Sequence, residues 1–330
     1  MPLVSVVLPF RDAVVTLADA VRSILRQEFR DIELIAVDDG SRDGSAASLA
    51  GIGDTRFRLV RNRLPCGVVA ATATGLGLAC GEWFARMDAD DISLPRRIGE
   101  QLKAADESVG VVTCGVESIG CKGDGMRRYV DWTNSLADHD AMARCRFVES
   151  PVINPTALVR MDWMRRVGGY HDTPWAEDHD LWLRLFAAGC RFARVPEILF
   201  QWRDSPGRLT RRDPRYGSVA RSRMRAHHLK ILPGVRENGI VIAGAGPIGK
   251  RLALDLLGEG VEVKGFFDVN PARVGQCIHG ARVAAAGQMA SKWRESILLG
   301  AVGLKGARDS VARMAASAGR REGEDFWAVC

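Results

Sequence analysis

The sequence predicts an α/β protein in two parts, a mostly parallel sheet flanked by helices over residues 1–235 and a small second α/β module over 236–330. Three observations carry the prediction. Short β-branched and apolar runs alternate with stretches whose apolar residues recur at helical spacing, the pattern of strand-helix-strand units. The early strands run into polar loops rich in Asp, Gly or Ser, as strands do at the carboxyl edge of an open parallel sheet. Pro233-Gly234 then breaks the pattern, and a fresh apolar strand with a glycine loop follows.

In chain order, Val4 to Phe10 reads as a buried strand closed by Pro9, which removes a ladder donor. Leu17, Val21, Ile24 and Leu25 mark a helix, and Ile32 to Val37 a second strand entering Asp38-Asp39-Gly40-Ser41. A right-handed crossover makes this pair parallel. Arg56 to Val60, Val68 to Ala79 and Trp83 to Met87 repeat the unit and deliver Asp88, Asp90 and Asp91 to the edge that already carries Pro9 to Asp12 and Asp38 to Ser45. A helix opens at Ser93-Leu94-Pro95, a strand spans Val109 to Cys114, and a helix from about Asp178 to Ala188 closes at Gly189 before a strand near Arg194 to Phe200. Beyond the break, Gly239 to Ala243 is a strand and Lys250 to Leu257 a helix.

With 47% hydrophobic and 26% charged residues and no low-complexity tract, the composition excludes a disordered chain. No window approaches the length of a spanning helix and the N-terminus lacks the zones of a signal peptide, so a cytoplasmic protein is expected. The eight cysteines form no CxxC pair and have no His at zinc-site spacing; reduced, mostly buried thiols are the reading. The net charge of +6 is concentrated between Arg203 and Lys230, where nine Arg or Lys face only Asp204 and Asp213. This basic helical segment, about 203–235, suits anionic lipid headgroups or a diphosphate, or is simply a solvated face. It lacks aromatics at base-stacking spacing, so nucleic acid is not expected, and peripheral contact with the inner face of a membrane is kept as an expectation.

Aspartates crowded at a strand end repel one another unless a cation or a hydrogen-bonding ligand offsets the repulsion, so Asp88, Asp90 and Asp91 imply a partner. A hard divalent ion suits them, because Mg²⁺ takes one or two carboxylates and completes its shell with water and phosphate oxygens. Asp39, at the neighbouring strand end, is placed to accept from a ribose hydroxyl or a base N–H, while Asp43 or Ser45 serves the turn.

Val4-Ser5-Val6-Val7-Leu8-Pro9, Val37-Asp38-Asp39-Gly40-Ser41-Arg42-Asp43-Gly44-Ser45, Gly81-Glu82-Trp83 through Ala85-Arg86-Met87-Asp88-Ala89-Asp90-Asp91, and Trp175-Ala176-Glu177-Asp178-His179-Asp180 together resemble glycosyltransferase family 2. The resemblance covers about residues 3 to 205 and implies a GT-A type nucleotide-diphospho-sugar transferase domain. It implies Pro9, Phe10, Asp12, Asp39, Asp88 and Ala89 at the donor nucleotide, Asp90 on Mg²⁺ or Mn²⁺, Asp178 as general base, and Glu177 and Trp175 on the acceptor side. The reaction implied is inverting, hexosyltransferase-like transfer of a single sugar from a UDP-, GDP- or dTDP-sugar to a hydroxyl of a glycan, lipid-linked or small-molecule acceptor. One departure stands out: Ala71-Thr72-Ala73-Thr74 occupies the place of the family's usual Arg-Asn or Leu-Asn pair, and Thr72 and Ala73 lack those polar reaches.

In the tail, Gly244-x-Gly246-x-x-Gly249 follows a strand, opens a helix and precedes Asp268 at nearly the spacing of a dinucleotide-binding acidic residue, so a Rossmann-like module is expected there. About 95 residues amount to roughly half a doubly wound domain, so a complete dinucleotide site would need another subunit or the first domain. Two rival readings remain: an NAD(P)-dependent oxidoreductase built on Gly244, Gly246, Gly249 and Asp268, and a nucleotide-sugar-binding protein without turnover.

Overall fold

A computed structural model describes residues 1–120, 123–205, 208–304 and 306–330. Cys121 and residues 206–207 of the basic stretch lie outside the described residues. The chain divides into two compact units: residues 1–142, 151–173 and 177–212 form the first, and residues 143–150, 174–176 and 213–330 the second. The break near residue 235 falls inside the second unit, where Gly234 takes a left-handed φ of 79°.

Among the described residues the first unit holds one eight-stranded sheet, formed by β1 (Val4–Phe10), β2 (Ile32–Asp38), β3 (Phe57–Arg61), β4 (Trp83–Arg86), β5 (Ile92–Ser93), β6 (Val109–Ile119), β7 (Leu158–Arg160) and β8 (Arg191–Arg203) in the order β3-β2-β1-β4-β7-β6-β8-β5. β3, β2, β1 and β4 are mutually parallel, β7 runs against β4 and β6, and β8 is parallel to β6. All seven residues of β1 are buried, as an apolar strand at the centre of a helix-covered sheet must be. Pro9 does not end the strand: it pairs in register with Val37, and Phe10 pairs with Asp38.

The helices follow the apolar periodicity. α1 (Leu17–Leu25) buries Leu17, Ala20, Val21 and Ile24, one face at helical spacing. α2 (Gly67–Leu78) packs on β1 at Gly75, where a Cβ would sit 2.3 Å from Val7 Cγ1, so only glycine permits this approach. α3 (Arg97–Lys103), α4 (Asp124–Ser135), α5 (His139–Cys145) and α6 (Met161–Arg166) follow, and α7 (Glu177–Ala187) buries Leu181, Trp182, Leu183 and Leu185. Because β1, β2 and β4 are parallel, their carboxyl ends at Phe10, Asp38 and Arg86 share one edge.

The second unit contains β9 (Ile240–Ala243), β10 (Val263–Asp268), β11 (Cys277–Ile278), β12 (Ala281–Ala285), β13 (Ile297–Gly300) and β14 (Phe326–Ala328) in the order β11-β12-β10-β9-β13-β14. All pairings are parallel except β11 with β12. The strand order reverses between β9 and β13, so this short segment builds a doubly wound sheet with its own switch point, more than the half-domain its length suggests.

Candidate active site

The carboxyl edge of the first sheet is built by interlocking loops. Asp39 N donates to Phe10 O at 2.9 Å, Arg42 N to Asp12 Oδ1 at 2.7 Å, and Asp12 N to Ser41 Oγ at 3.1 Å, so the loops after β1 and β2 are stitched together. Asp12 takes a left-handed φ of 50° to do this. Asp43 accepts from Val14 N and Ser45 N, and Ser45 Oγ accepts from Ala13 N, the turn role expected of them. Pro9 and Phe10 are both buried, so at this edge they present backbone more than side chain.

Asp39 is 4% exposed, and its carboxylate receives Asn62 Nδ2 at 2.9 Å, Cys66 N at 3.0 Å and Gly67 N at 2.9 Å. Burial pushes its pKa up, but the hydrogen bonds from Asn62, Cys66 and Gly67 outweigh burial and hold it below the ordinary value. The carboxylate thus sits against the N-terminal N–H groups of α2, which lie far from it in sequence.

Asp88 and Asp90 are half-buried beyond the end of β4, with Ala89 between them. Arg86 Nε and Nη2 both reach Asp88 Oδ1, at 2.9 and 2.7 Å. Burial first, then the charge of Asp88, raise the pKa of Asp90, partly offset by Arg208 and Arg203. Asp91 is 1% exposed and its pKa is driven well up by burial, Asp88 and Asp90. Its Oδ1 accepts from Arg203 N at 2.8 Å, while Arg203 Nε donates to Asp90 O at 2.7 Å, so the end of β8 braces this loop. Asp91 Oδ2 is buried with no hydrogen-bond partner among the described residues. Asp88 and Asp90 could offer a cation two carboxylates, while no group of three or more His, Cys, Asp and Glu among the described residues is placed to hold a metal ion.

On α7, Glu177 is 5% exposed and Asp178 follows it in the first helical turn. Asp178 Oδ1 accepts from His179 N at 2.8 Å, yet burial, followed by the charge of Glu177, pushes its pKa up to about 7, with Asp88 adding to the rise. Favourable placement at a helix N-terminus is therefore overridden by desolvation. The helix is anchored by Arg184, which pairs with Asp180 at 2.7 Å and donates to Val167 O and Gly169 O. Tyr170 lies beneath: its hydroxyl donates to Asn154 Oδ1 at 2.6 Å, and burial drives its pKa far up. Trp175 falls in the second unit, where its ring centroid is 5.2 Å from that of His227.

Sequence reasoning gave no role to Asn62, Arg86 and Tyr170. The basic stretch is largely spent inside the protein: Arg211 pairs with Asp204, Arg215 with Asp213, Arg221 with Glu149 and Lys230 with Glu259, while buried Arg225 donates to Phe147 O and Val148 O. No helix among the described residues is long and apolar enough to cross a membrane.

In the second unit, Gly244 (φ 116°) leaves β9 at the switch point, and a Cβ at Gly249 would lie 1.9 Å from Gly244 O, so the loop packs as tightly as the motif requires. Gly246 precedes the helix Pro247–Gly258. Asp268 is committed within the protein: Oδ2 accepts from Ala245 N at 2.8 Å and from Arg273 Nη1 at 3.0 Å, and Oδ1 from Asn270 N at 2.8 Å.

Comparison with known proteins gives the family and the fold. The family model "Glycosyl transferase family 2" matches residues 5–168. The putative glycosyltransferase EpsE of Bacillus subtilis is 30% identical over 226 residues, covering 65% of this chain and 78% of that protein. An uncharacterized glycosyltransferase of Haemophilus influenzae is 29% identical over 213 residues, 61% of this chain, and the match spans 65% of that relative's length. Among solved structures, the mannosyltransferase PcManGT of Pyrobaculum calidifontis, in complex with GDP-Man and Mn²⁺, aligns with a TM-score of 0.52 at 22% identity, covering 69% of this chain and 62% of that one.

Proposed function

Because this chain belongs to glycosyl transferase family 2 and its first unit has the GT-A type fold, we propose that it is an inverting transferase moving one sugar from a nucleoside-diphosphate donor to an acceptor hydroxyl. The observation that carries the proposal is that parallel strands β1, β2 and β4 bring the loops at Phe10, Asp39 and Asp88 to one edge of the sheet. The donor nucleotide lies along Pro9, Phe10, Asp12, Asp39, Asp88 and Ala89, and the chemistry of that edge suits UDP, GDP or dTDP. Asp90, with Asp88 beside it, would hold Mg²⁺ or Mn²⁺, which would supply positive charge to the departing diphosphate. Asp178 accepts the acceptor's hydroxyl proton as that oxygen bonds to the anomeric carbon. The bond to the diphosphate breaks on the opposite face, its electron pair leaves with the diphosphate, and the anomeric centre inverts. Glu177 keeps Asp178 basic.

We place the end of the transferase domain near residue 235. For the second unit the switch point at Gly244 favours a subordinate reading, nucleotide binding by Gly244, Gly246 and Gly249, with Asp268 shaping the loop. One experiment tests both: thermal stabilisation by UDP, GDP, dTDP, NAD and NADP, each with and without Mn²⁺. A Mn²⁺-dependent rise with one nucleoside diphosphate is expected. A rise with a dinucleotide alone, independent of Mn²⁺, would refute the transferase reading.

A further inference from the structure

Arg86 ends β4 at 4% exposure, and a guanidinium taken out of water costs several kcal/mol unless its donors are met. Its donors are met unevenly. Nε and Nη2 converge on Asp88 Oδ1, at 2.9 and 2.7 Å, instead of taking one oxygen each as a forked arginine-carboxylate pair does. Among the described residues no donor is recorded on Asp88 Oδ2, and the Asp88 side chain is 31% exposed. Nη1 instead goes to Thr72 Oγ1 on α2. That hydroxyl has already given its proton to Val68 O at 2.6 Å, so it faces Arg86 as an acceptor. The backbone around Arg86 is pinned as well, Arg86 N donating to Ala157 O at 3.1 Å and Arg97 Nη2 to Arg86 O at 3.3 Å. Tyr170 and Glu177 are also within electrostatic reach of the same guanidinium.

We infer that Arg86, seated by Thr72, is a positioning residue for the transfer: it grips Asp88 by one oxygen and leaves the other for the donor. This rests on the reading of Asp88 as a donor-side carboxylate. The inference also explains the departure in α2. A threonine at position 72 lacks the reach of a longer polar side chain, but its hydroxyl is at the right height to accept from an arginine on the next strand. Thr72 therefore acts on the donor through Arg86 and Asp88, without touching it.

The test uses the full chain and three variants, Thr72→Val, Thr72→Ser and Arg86→Lys, with Asp88→Ala as the reference. Affinity for UDP and GDP with Mn²⁺ is read by calorimetry, and KM for donor and for acceptor separately once a donor is known. Thr72→Val removes the acceptor at nearly constant volume and is expected to weaken nucleotide binding about 10-fold, the scale on which an outer supporting contact acts. Thr72→Ser keeps the hydroxyl and is expected to retain wild-type affinity within about twofold. Arg86→Lys loses the double contact and is expected to weaken binding by roughly 10- to 100-fold, with acceptor KM unmoved. If Thr72→Val and Arg86→Lys bind nucleotide like wild type while Asp88→Ala does not, the positioning role is overturned and the transferase reading stands. If the wild type itself binds no nucleoside diphosphate with Mn²⁺, the transferase reading fails, and this inference with it.

Discussion

Asp178→Asn should make the protein more stable and nearly inactive at once, and the stability gain should depend on pH. In the folded chain burial and Glu177 raise the Asp178 pKa from 3.8 to about 7. A folded-state value above the unfolded one means that stability is full below about 3.8 and is lost as pH rises through about 7, because the native state resists an ionisation that the unfolded chain undergoes freely. At about 1.36 kcal/mol per pH unit, the cost above pH 7 approaches about 4 kcal/mol. Part of it belongs to the charge on Glu177, so about 2–4 kcal/mol is the working range. Asparagine at 178 cannot ionise, and its side-chain oxygen can still accept from His179 N. The variant's advantage should therefore grow by up to about 1.4 kcal/mol per pH unit between pH 5.5 and 7, then level off. Urea unfolding of both proteins at pH 5.5, 6.5 and 8 reads this, and near pH 8 the melting temperature should rise by roughly 4–16 °C. Turnover, followed as release of nucleoside diphosphate, should fall by about 10²- to 10⁴-fold with donor affinity kept. In the wild type, kcat/KM should rise with pH through about 7, because the base works only when deprotonated. A stability difference that is the same at pH 5.5 and 8, or a variant that turns over at the wild-type rate, would refute the assignment.

Three further outcomes follow from the same edge. Asp90→Ala should abolish the Mn²⁺-dependent part of nucleotide stabilisation and leave the unliganded melting temperature unchanged or higher, because it relieves repulsion with Asp88; thermal shift with and without chelator reads both. Asp39→Ala strips the partner from Asn62 Nδ2, Cys66 N and Gly67 N and should cost about 1–2 kcal/mol in urea unfolding, together with nucleotide affinity. Gly75→Ala puts a Cβ 2.3 Å from Val7 Cγ1 and should cost about 1–3 kcal/mol, whereas Gly77→Ala on the same helix meets nothing within 4 Å and should be neutral or slightly stabilising.

How much of this was legible in the sequence depends on how far the signal travels along the chain. β1 and β2, with the acidic loops at Asp39 and Asp88, were legible because apolar period and turn chemistry are local. The supports of those carboxylates were not, since Asn62, Cys66 and Gly67 reach Asp39 only after a further strand and helix have formed. The basic stretch shows the same limit from the other side. Nine cations in a row of twenty-eight residues look like a surface awaiting an anion, but Glu149 and Glu259, which pair with Arg221 and Lys230, stand 72 and 29 residues away. Charge counted along a chain gives the demand for partners, and only the fold shows whether that demand is already met.

The glycine loop of the second unit turns the same reasoning on a motif. Gly244 and Gly249 are needed for close packing whether or not a ligand binds, since a Cβ at Gly244 would lie 2.7 Å from Ala301 O and one at Gly249 1.9 Å from Gly244 O, whereas at Gly246 a Cβ would meet only Arg273 Nη1 at 3.8 Å. Asp268 spends its oxygens on Ala245 N, Asn270 N and Arg273, which stabilises the loop and competes with a ribose for the same lone pairs. Burial raises its pKa, and the hydrogen bonds from Asn270, Ala245 and Arg273 more than reverse that, so it is held as a carboxylate by its own neighbours. A dinucleotide must therefore displace Arg273 or bind without Asp268. Arg273→Ala separates the two: it should strengthen NAD binding if Asp268 is the ribose acceptor, and leave the melting curve indifferent to NAD if the loop serves packing alone.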